Sequence, residues 1–292
     1  MTDPAQTPAP GAGGALRRVG ADLPMRAAAG VAMMAVALAA AWVGGFWFLV
    51  FWIVAAALVL WEWQKLLDGE RLLWRLAVGG LTLLAAAPFA LNGSVKTTVA
   101  MLILGSVAAG FVPQPTLGLR IWSGFGVLYS GALAASPVLL RDSPAYGLAA
   151  ILWLFAVVWG ADIMAYFGGR LIGGPKLWPR ISPGKTWSGA LVGVLCGALL
   201  GAVVALCVAP PGARFLPILL IGLAAAVIEG LGDLFESGVK RRFDVKDSSH
   251  LIPGHGGLMD RLDGFIAAAL WVAILGASRG FPSPAEGLFH WM

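Results

Sequence analysis

The sequence predicts an all-α, polytopic membrane bundle of about nine spanning helices, and three observations carry that prediction. Of the 292 residues, 59% are hydrophobic and only 12% are charged, with a mean hydropathy of +0.84; a soluble domain has about 25% charged residues. The apolar residues form unbroken Ala/Leu-rich runs of roughly the 20 residues a spanning helix needs, without the alternating segments of about 10 residues typical of a membrane barrel. Charged residues and Gly/Pro clusters divide one run from the next. A water-soluble fold and intrinsic disorder are excluded, and so is a collagen repeat, because the 40 glycines and 18 prolines show no three-residue period.

Residues 1–24 are rich in Ala, Pro and Gly and carry Arg17 and Arg18. They lack the compact charged region, short apolar core and cleavage site of a signal peptide, and read as a flexible cytoplasmic tail. Spans are expected near 27–43, 46–63, 73–91, 97–112, 121–140, 146–167, 187–209, 215–233 and 262–278. The first two come from one uncharged run, Ala27 to Trp61, which is too long for a single span and breaks at Gly44-Gly45. An N-terminal membrane region then covers 25–145. The C-terminal region, 146–292, carries two cytoplasmic loops, 168–186 and 234–261, and is expected to be the catalytic part. Cys196 and Cys207 would lie about 16 Å apart on one helix, too far for a disulfide, and no thiol set exists for structural zinc.

Loop charge orients the chain, since Lys and Arg accumulate on the cytoplasmic side. With the N-terminus inside, only Lys96, Arg141, Arg214 and Arg279 of the 20 basic residues fall outside. The formal charge of +5 is then a topology signal, and no nucleic-acid partner is expected.

Seven of the 15 acidic residues lie between positions 229 and 263: Glu229, Asp233, Glu236, Asp244, Asp247, Asp260 and Asp263. Glu229, Asp233, Glu236 and Lys240 recur at i, i+4, i+7 and i+11, so they share one face if the eighth span continues as a helix into the cytoplasm. Carboxylates at a membrane edge are costly and normally line a bundle interior or a water-filled cavity. The plainer account is an interfacial Glu236–Lys240 pair. Asp260 and Asp263 form a second acidic pair where the ninth span begins, a position that the helix dipole alone would also favour.

Between the two pairs lie Lys240-Arg241-Arg242, Lys246-Asp247 and Pro253-Gly254-His255-Gly256-Gly257. Basic groups neutralise phosphate oxygens, carboxylates hold hard divalent ions, and glycine amides approach a ligand closely, which together suit a metal–polyphosphate complex. His255 suits a general base or a ligand, and equally a structural role beside glycines. On the sixth span Asp162 and Tyr166 are i,i+4 neighbours, and the following loop ends in Ser182-Pro183-Gly184-Lys185-Thr186-Trp187. Its Gly-Lys-Thr is not a phosphate-loop motif, because Pro179 stands where the first glycine is required. Lys185 and Thr186 still suit an anion at a helix start.

The stretch Ser237–Asp263 resembles the C-terminal signature of phosphatidate cytidylyltransferases, at Ser237, Lys240, Arg241, Lys246, Asp247, Ser249, Pro253, His255, Gly256, Gly257, Asp260, Arg261 and Asp263, preceded by Gly232-Asp233-Leu234 and Glu236. The resemblance extends to Asp162, Tyr166 and Gly169 and to the Ser-Pro loop, covering roughly residues 150–270. Gly184 and Ser188 depart from the family, which usually has a lysine and an acidic residue there.

The resemblance implies an all-helical, homodimeric enzyme in the bilayer of a bacterial cytoplasmic membrane, its site facing the cytoplasm. Such an enzyme joins CTP and phosphatidic acid into CDP-diacylglycerol, using Mg²⁺ and a second cation such as K⁺. By the same resemblance Asp233 and Asp260 hold metal, and Lys240, Asp247 and His255 join them in catalysis. Substrate contacts fall to Asp162, Tyr166, Ser182, Lys185, Thr186, Glu236, Ser237, Arg241, Lys246, Gly256, Gly257, Arg261 and Asp263. Two competing classes are a secondary transporter, with Asp162 and Glu229 as an ion relay, and another CTP- or phosphate-using membrane lipid enzyme. A CDP-alcohol phosphotransferase is disfavoured because no Arg completes its motif after Asp263-Gly264.

Overall fold

A computed structural model describes residues 12–211, 213–252 and 256–291, with side chains from residue 28 onward. The described chain forms ten helices and one hairpin: α1 (Ala12–Val43), α2 (Gly45–Leu66), α3 (Leu72–Leu91), α4 (Val95–Phe111), α5 (Leu117–Arg141), α6 (Gly147–Ile172), β1 (Lys176–Trp178), β2 (Ser182–Thr186), α7 (Trp187–Val208), α8 (Phe215–Arg242), α9 (Met259–Ser278) and α10 (Pro284–Phe289). Each expected span coincides with one of α1 to α9. Seven of these, α2, α3 and α5 to α9, are long and apolar enough to cross a membrane, whereas α1 and α4 contribute shorter apolar stretches, Ala28–Val43 and Val95–Phe111. The chain is an all-α integral membrane protein.

The break between α1 and α2 falls at Gly44, where φ is +67°, a conformation that glycine adopts without steric cost. Helix α5 is the central element, buried continuously from Tyr129 to Leu140. Around it the core is aromatic: Trp52 of α2 stacks on Phe265 of α9 at 4.9 Å between ring centroids, and Phe155 of α6 meets Phe265 at 5.7 Å. Large apolar side chains such as Trp42, Leu73, Phe111, Leu171 and Leu195 project outward, as lipid-facing positions do. Helices α6 and α7 approach most closely along Gly189, Gly193, Gly197 and Gly201. A Cβ at Gly193 would lie 2.7 Å from the Ala161 carbonyl oxygen, and one at Gly197 2.6 Å from that of Val157. Small residues allow such backbone contact between membrane helices.

Two segments read as loops are partly regular. Residues 168–186 contain the end of α6 and an antiparallel hairpin that pairs Lys176 with Thr186 and Trp178 with Ser182. Residues 234–261 begin with two more turns of α8, so the stripe from Glu229 to Lys240 lies on one continuous helix. Helix α8 stops where Asp244 takes φ +54° and the Val245 amide donates back to the Lys240 carbonyl at 3.0 Å. Arg75, counted among the cytoplasmic charges, is fully buried; it donates to Gln64 Oε1 at 3.2 Å and to the Gly69 carbonyl at 2.9 Å, tying α3 to the end of α2.

Candidate active site

The polar stripe of α8, the hairpin and the start of α9 converge at one end of the bundle. Helix α8 presents Glu229, Asp233, Glu236 and Lys240 on one face, and the hairpin brings Lys185 Nζ to 2.7 Å from Asp233 Oδ2. Thr186, one residue on, caps α7 by accepting from the Gly189 amide at 3.1 Å, which fixes Lys185 at the start of that helix. From α9, Asp260 accepts from Lys240 Nζ at 2.6 Å, and Lys240 also pairs with Glu236 Oε2 at 2.7 Å. The interfacial Glu236–Lys240 pair therefore exists, but buried and extended by Asp260: the side chains of Glu236, Asp260 and Lys240 are 0%, 7% and 12% exposed.

Further carboxylates surround Asp233. Asp162 of α6, exposed on its helix, and buried Glu229 interact electrostatically with each other and with Asp233 and Lys185. Asp263 senses Asp233 and Asp162, and Arg261 lies within electrostatic reach of Asp162. Six carboxylates, Asp162, Glu229, Asp233, Glu236, Asp260 and Asp263, are thus gathered with Lys185, Lys240 and Arg261. In a low-dielectric setting an excess of negative charge calls for cationic compensation.

Ser237 Oγ donates to Asp233 Oδ1 at 3.4 Å. Gly256 adopts φ +80°, and Gly257 donates its amide to Asp260 Oδ2 at 2.8 Å. Asp260 also accepts from the Ser248 amide and hydroxyl, each at 3.0 Å to Oδ2. Tyr166 lies apart, 60% exposed and accepting from Arg170 at 2.9 Å. Arg241, Lys246 and Asp247 are exposed, with Arg241 donating to the Val245 carbonyl at 3.4 Å. Ser182 is half-buried in the hairpin. His255 lies outside the described residues. Of the two departures from the family pattern, Gly184 is exposed, and Ser188 bonds to Thr186 Oγ1 at 3.1 Å and donates to the Gly173 carbonyl, bracing the start of α7 against the end of α6.

The donor chemistry fits a hard divalent cation, because oxygen ligands and surplus negative charge collect around Asp233. Among the described residues no three His, Cys, Asp or Glu side chains form a ready-made metal cluster. The two aspartates also differ. Among the contacts of the described residues, Asp233 Oδ1 has the long Ser237 bond alone, whereas both oxygens of Asp260 already accept from Lys240, Ser248 and Gly257. A carboxylate has about four acceptor sites, so Asp260 could take a metal only after giving up a present partner.

Sequence reasoning missed Glu62. This α2 residue is fully buried and accepts from the hydroxyl of Ser249 at 2.6 Å and from the amides of Leu258 and Met259 at 2.8 and 2.6 Å, while the Ser248 hydroxyl that donates to Asp260 lies 3.3 Å from it. The available signal was a lone carboxylate inside an apolar span, between Trp61 and Trp63.

The chain is similar in sequence to known proteins. The sequence model of the cytidylyltransferase family matches residues 24–278. A phosphatidate cytidylyltransferase of Brucella abortus (strain 9-941) is 40% identical over 249 residues, covering 85% of this chain and 91% of its own length. The phosphatidate cytidylyltransferase of Bacillus subtilis (strain 168) is 42% identical over 127 residues, or 44% of this chain and 47% of its own length. That of Staphylococcus saprophyticus is 45% identical over 127 residues, or 44% and 48%. With the match running through α2 to α9 and every element that builds the acidic site, the chain belongs to the cytidylyltransferase family.

Proposed function

We propose that this protein is a phosphatidate cytidylyltransferase, converting CTP and phosphatidic acid into CDP-diacylglycerol and pyrophosphate. A phosphate oxygen of phosphatidate attacks the α-phosphorus of CTP in line; one P–O bond forms, and the bond to the pyrophosphate oxygen breaks. The observation that carries the reading is the pairing of two lysines from different elements, Lys185 and Lys240, with the acidic face of α8 at one end of a membrane bundle. Family membership favours this chemistry over ion transport.

Both reactants are anions, so catalysis rests on neutralisation and alignment. Each lysine has three N–H donors. Lys240 spends two on Glu236 and Asp260, and Lys185 spends one on Asp233, which leaves one donor on Lys240 and two on Lys185 for phosphate oxygens. The incoming phosphate is largely dianionic near neutral pH, its second pKa being about 6 by analogy with phosphorylated side chains, so the reaction needs no dedicated base and His255 need not supply one. Mg²⁺, held by Asp233 with Asp260 and accompanied by a second cation such as K⁺, would neutralise the triphosphate and its leaving group.

In this reading CTP arrives from the cytoplasm and phosphatidate from the bilayer. The N-terminus is placed in the cytoplasm because, with nine spans, that orientation leaves only Lys96, Arg141, Arg214 and Arg279 of the basic residues outside. The setting is a bacterial cytoplasmic membrane, the active unit is a homodimer, and the acyl chains remain among the lipids. Incubation of the purified protein with labelled CTP, Mg²⁺ and phosphatidate should give a CDP-lipid on thin-layer chromatography. Absence of that product would refute the proposal.

A further inference from the structure

We propose that Glu62 is a positioning residue for this reaction, holding Ser248, Ser249 and the start of α9 so that Asp260 meets Lys240. The inference rests on the function proposed above. Glu62 lies on α2, far in sequence from the signature, yet its partners all come from there: the Ser249 hydroxyl and the Leu258 and Met259 amides donate to it, and the Ser248 hydroxyl lies 3.3 Å away. Three committed donors and a share of the Ser248 hydroxyl proton approach the acceptor capacity of one carboxylate, about four. They also stabilise a negative charge that is fully buried and would otherwise be costly there.

Two of those donors begin α9. Leu258 is its N-cap and Met259 its first residue, and Leu258 offers no side-chain cap of its own. Glu62 supplies the missing acceptor from another helix, satisfying amides that the helix start leaves open. Asp260 follows one residue later and grips the same segment from the other side, through the Ser248 amide and hydroxyl and the Gly257 amide. The Ser248 hydroxyl lies within reach of both carboxylates, 3.3 Å from Glu62 and 3.0 Å from Asp260. Ser248 and the start of α9 are therefore held between two acids, and the direction of the Asp260 carboxylate depends on where Glu62 sets the start of α9. Gly257 lies inside the clamp, where a Cβ would meet Ser248 Oγ and come to 2.6 Å from Glu62 Oε1.

Glu62→Gln keeps the shape but replaces one acceptor with a donor. In the purified full-length protein it should raise hydrogen–deuterium exchange in peptides covering 246–259 by tenfold or more. It should also lower kcat for CDP-lipid formation by tenfold or more, as loss of a supporting carboxylate commonly does, with KM for CTP within twofold of wild type. Wild-type exchange in that segment overturns the proposal, and so does wild-type kcat, since a residue that only stabilises the fold would change thermal stability and spare turnover by the folded fraction. Should Glu62→Gln not fold, Ser249→Ala removes a single donor. It should raise exchange in 246–259 and lower kcat severalfold, and no change in either would overturn the proposal. If the wild-type protein makes no CDP-lipid, the functional reading fails by itself, while the exchange measurement still decides whether Glu62 anchors the segment.

Discussion

Replacing Lys240 with Met separates the two tasks of this residue. Its ammonium lies 2.7 Å from Glu236 and 2.6 Å from Asp260, with the three side chains 12%, 0% and 7% exposed. Removing one partner from a buried ion pair costs about 3–5 kcal/mol, because the remaining charge stays buried without compensation. For a chain of this size that corresponds to a fall on the order of 10 °C in thermal midpoint. Asp260 keeps its bonds to Ser248 and Gly257, so most of the cost should come from Glu236, which is fully buried and whose one cationic partner among the described residues is Lys240. Adding Glu236→Gln to Lys240→Met should then recover at least half of the lost stability and none of the activity. The assay is thermal unfolding in detergent alongside CDP-lipid formation. Wild-type stability in Lys240→Met, or no recovery in the double variant, would refute the reasoning.

Asp233→Asn and Asp260→Asn should each abolish turnover while the protein still inserts and purifies normally; near-wild-type activity of either at ordinary Mg²⁺ would remove that residue from the proposed metal site. Gly257→Ala pushes a methyl group into the Ser248 hydroxyl and Glu62, and kcat should fall by tenfold or more, about 1.4 kcal/mol per tenfold. Unchanged kcat would show that the segment has room to shift. With Cys196 and Cys207 replaced, a cysteine at exposed Lys96 should react with an impermeant thiol reagent on intact cells, and one at exposed Arg180 should be protected until the membrane is opened. The reverse pattern would put the nucleotide site on the wrong side for CTP.

Hydropathy placed the membrane helices well, since a run such as 187–209 ends within a residue of α7 at both termini. It cut α8 short at 233, because a span count stops at the first charges, whereas a helix stops only where the backbone turns, here near Asp244. The hairpin was hidden by its length, three and five residues, and by Pro183 and Gly184 within β2. In the site, helical periodicity was enough to align Glu229, Asp233, Glu236 and Lys240. It could not distinguish Asp233 from Asp260, because the donors that occupy Asp260 come from a loop whose path no periodicity describes. Glu62 was harder still, since its partners lie 186 to 197 residues away.

The most direct measurement is the reaction of the purified protein with CTP labelled at the α-phosphorus, Mg²⁺ and phosphatidate in mixed micelles, with Asp233→Asn in parallel. Label should move into a CDP-lipid with one pyrophosphate released per lipid formed, and the variant should transfer none. A wild-type protein that leaves the label in CTP, or an Asp233→Asn protein that transfers it at the wild-type rate, would contradict the account.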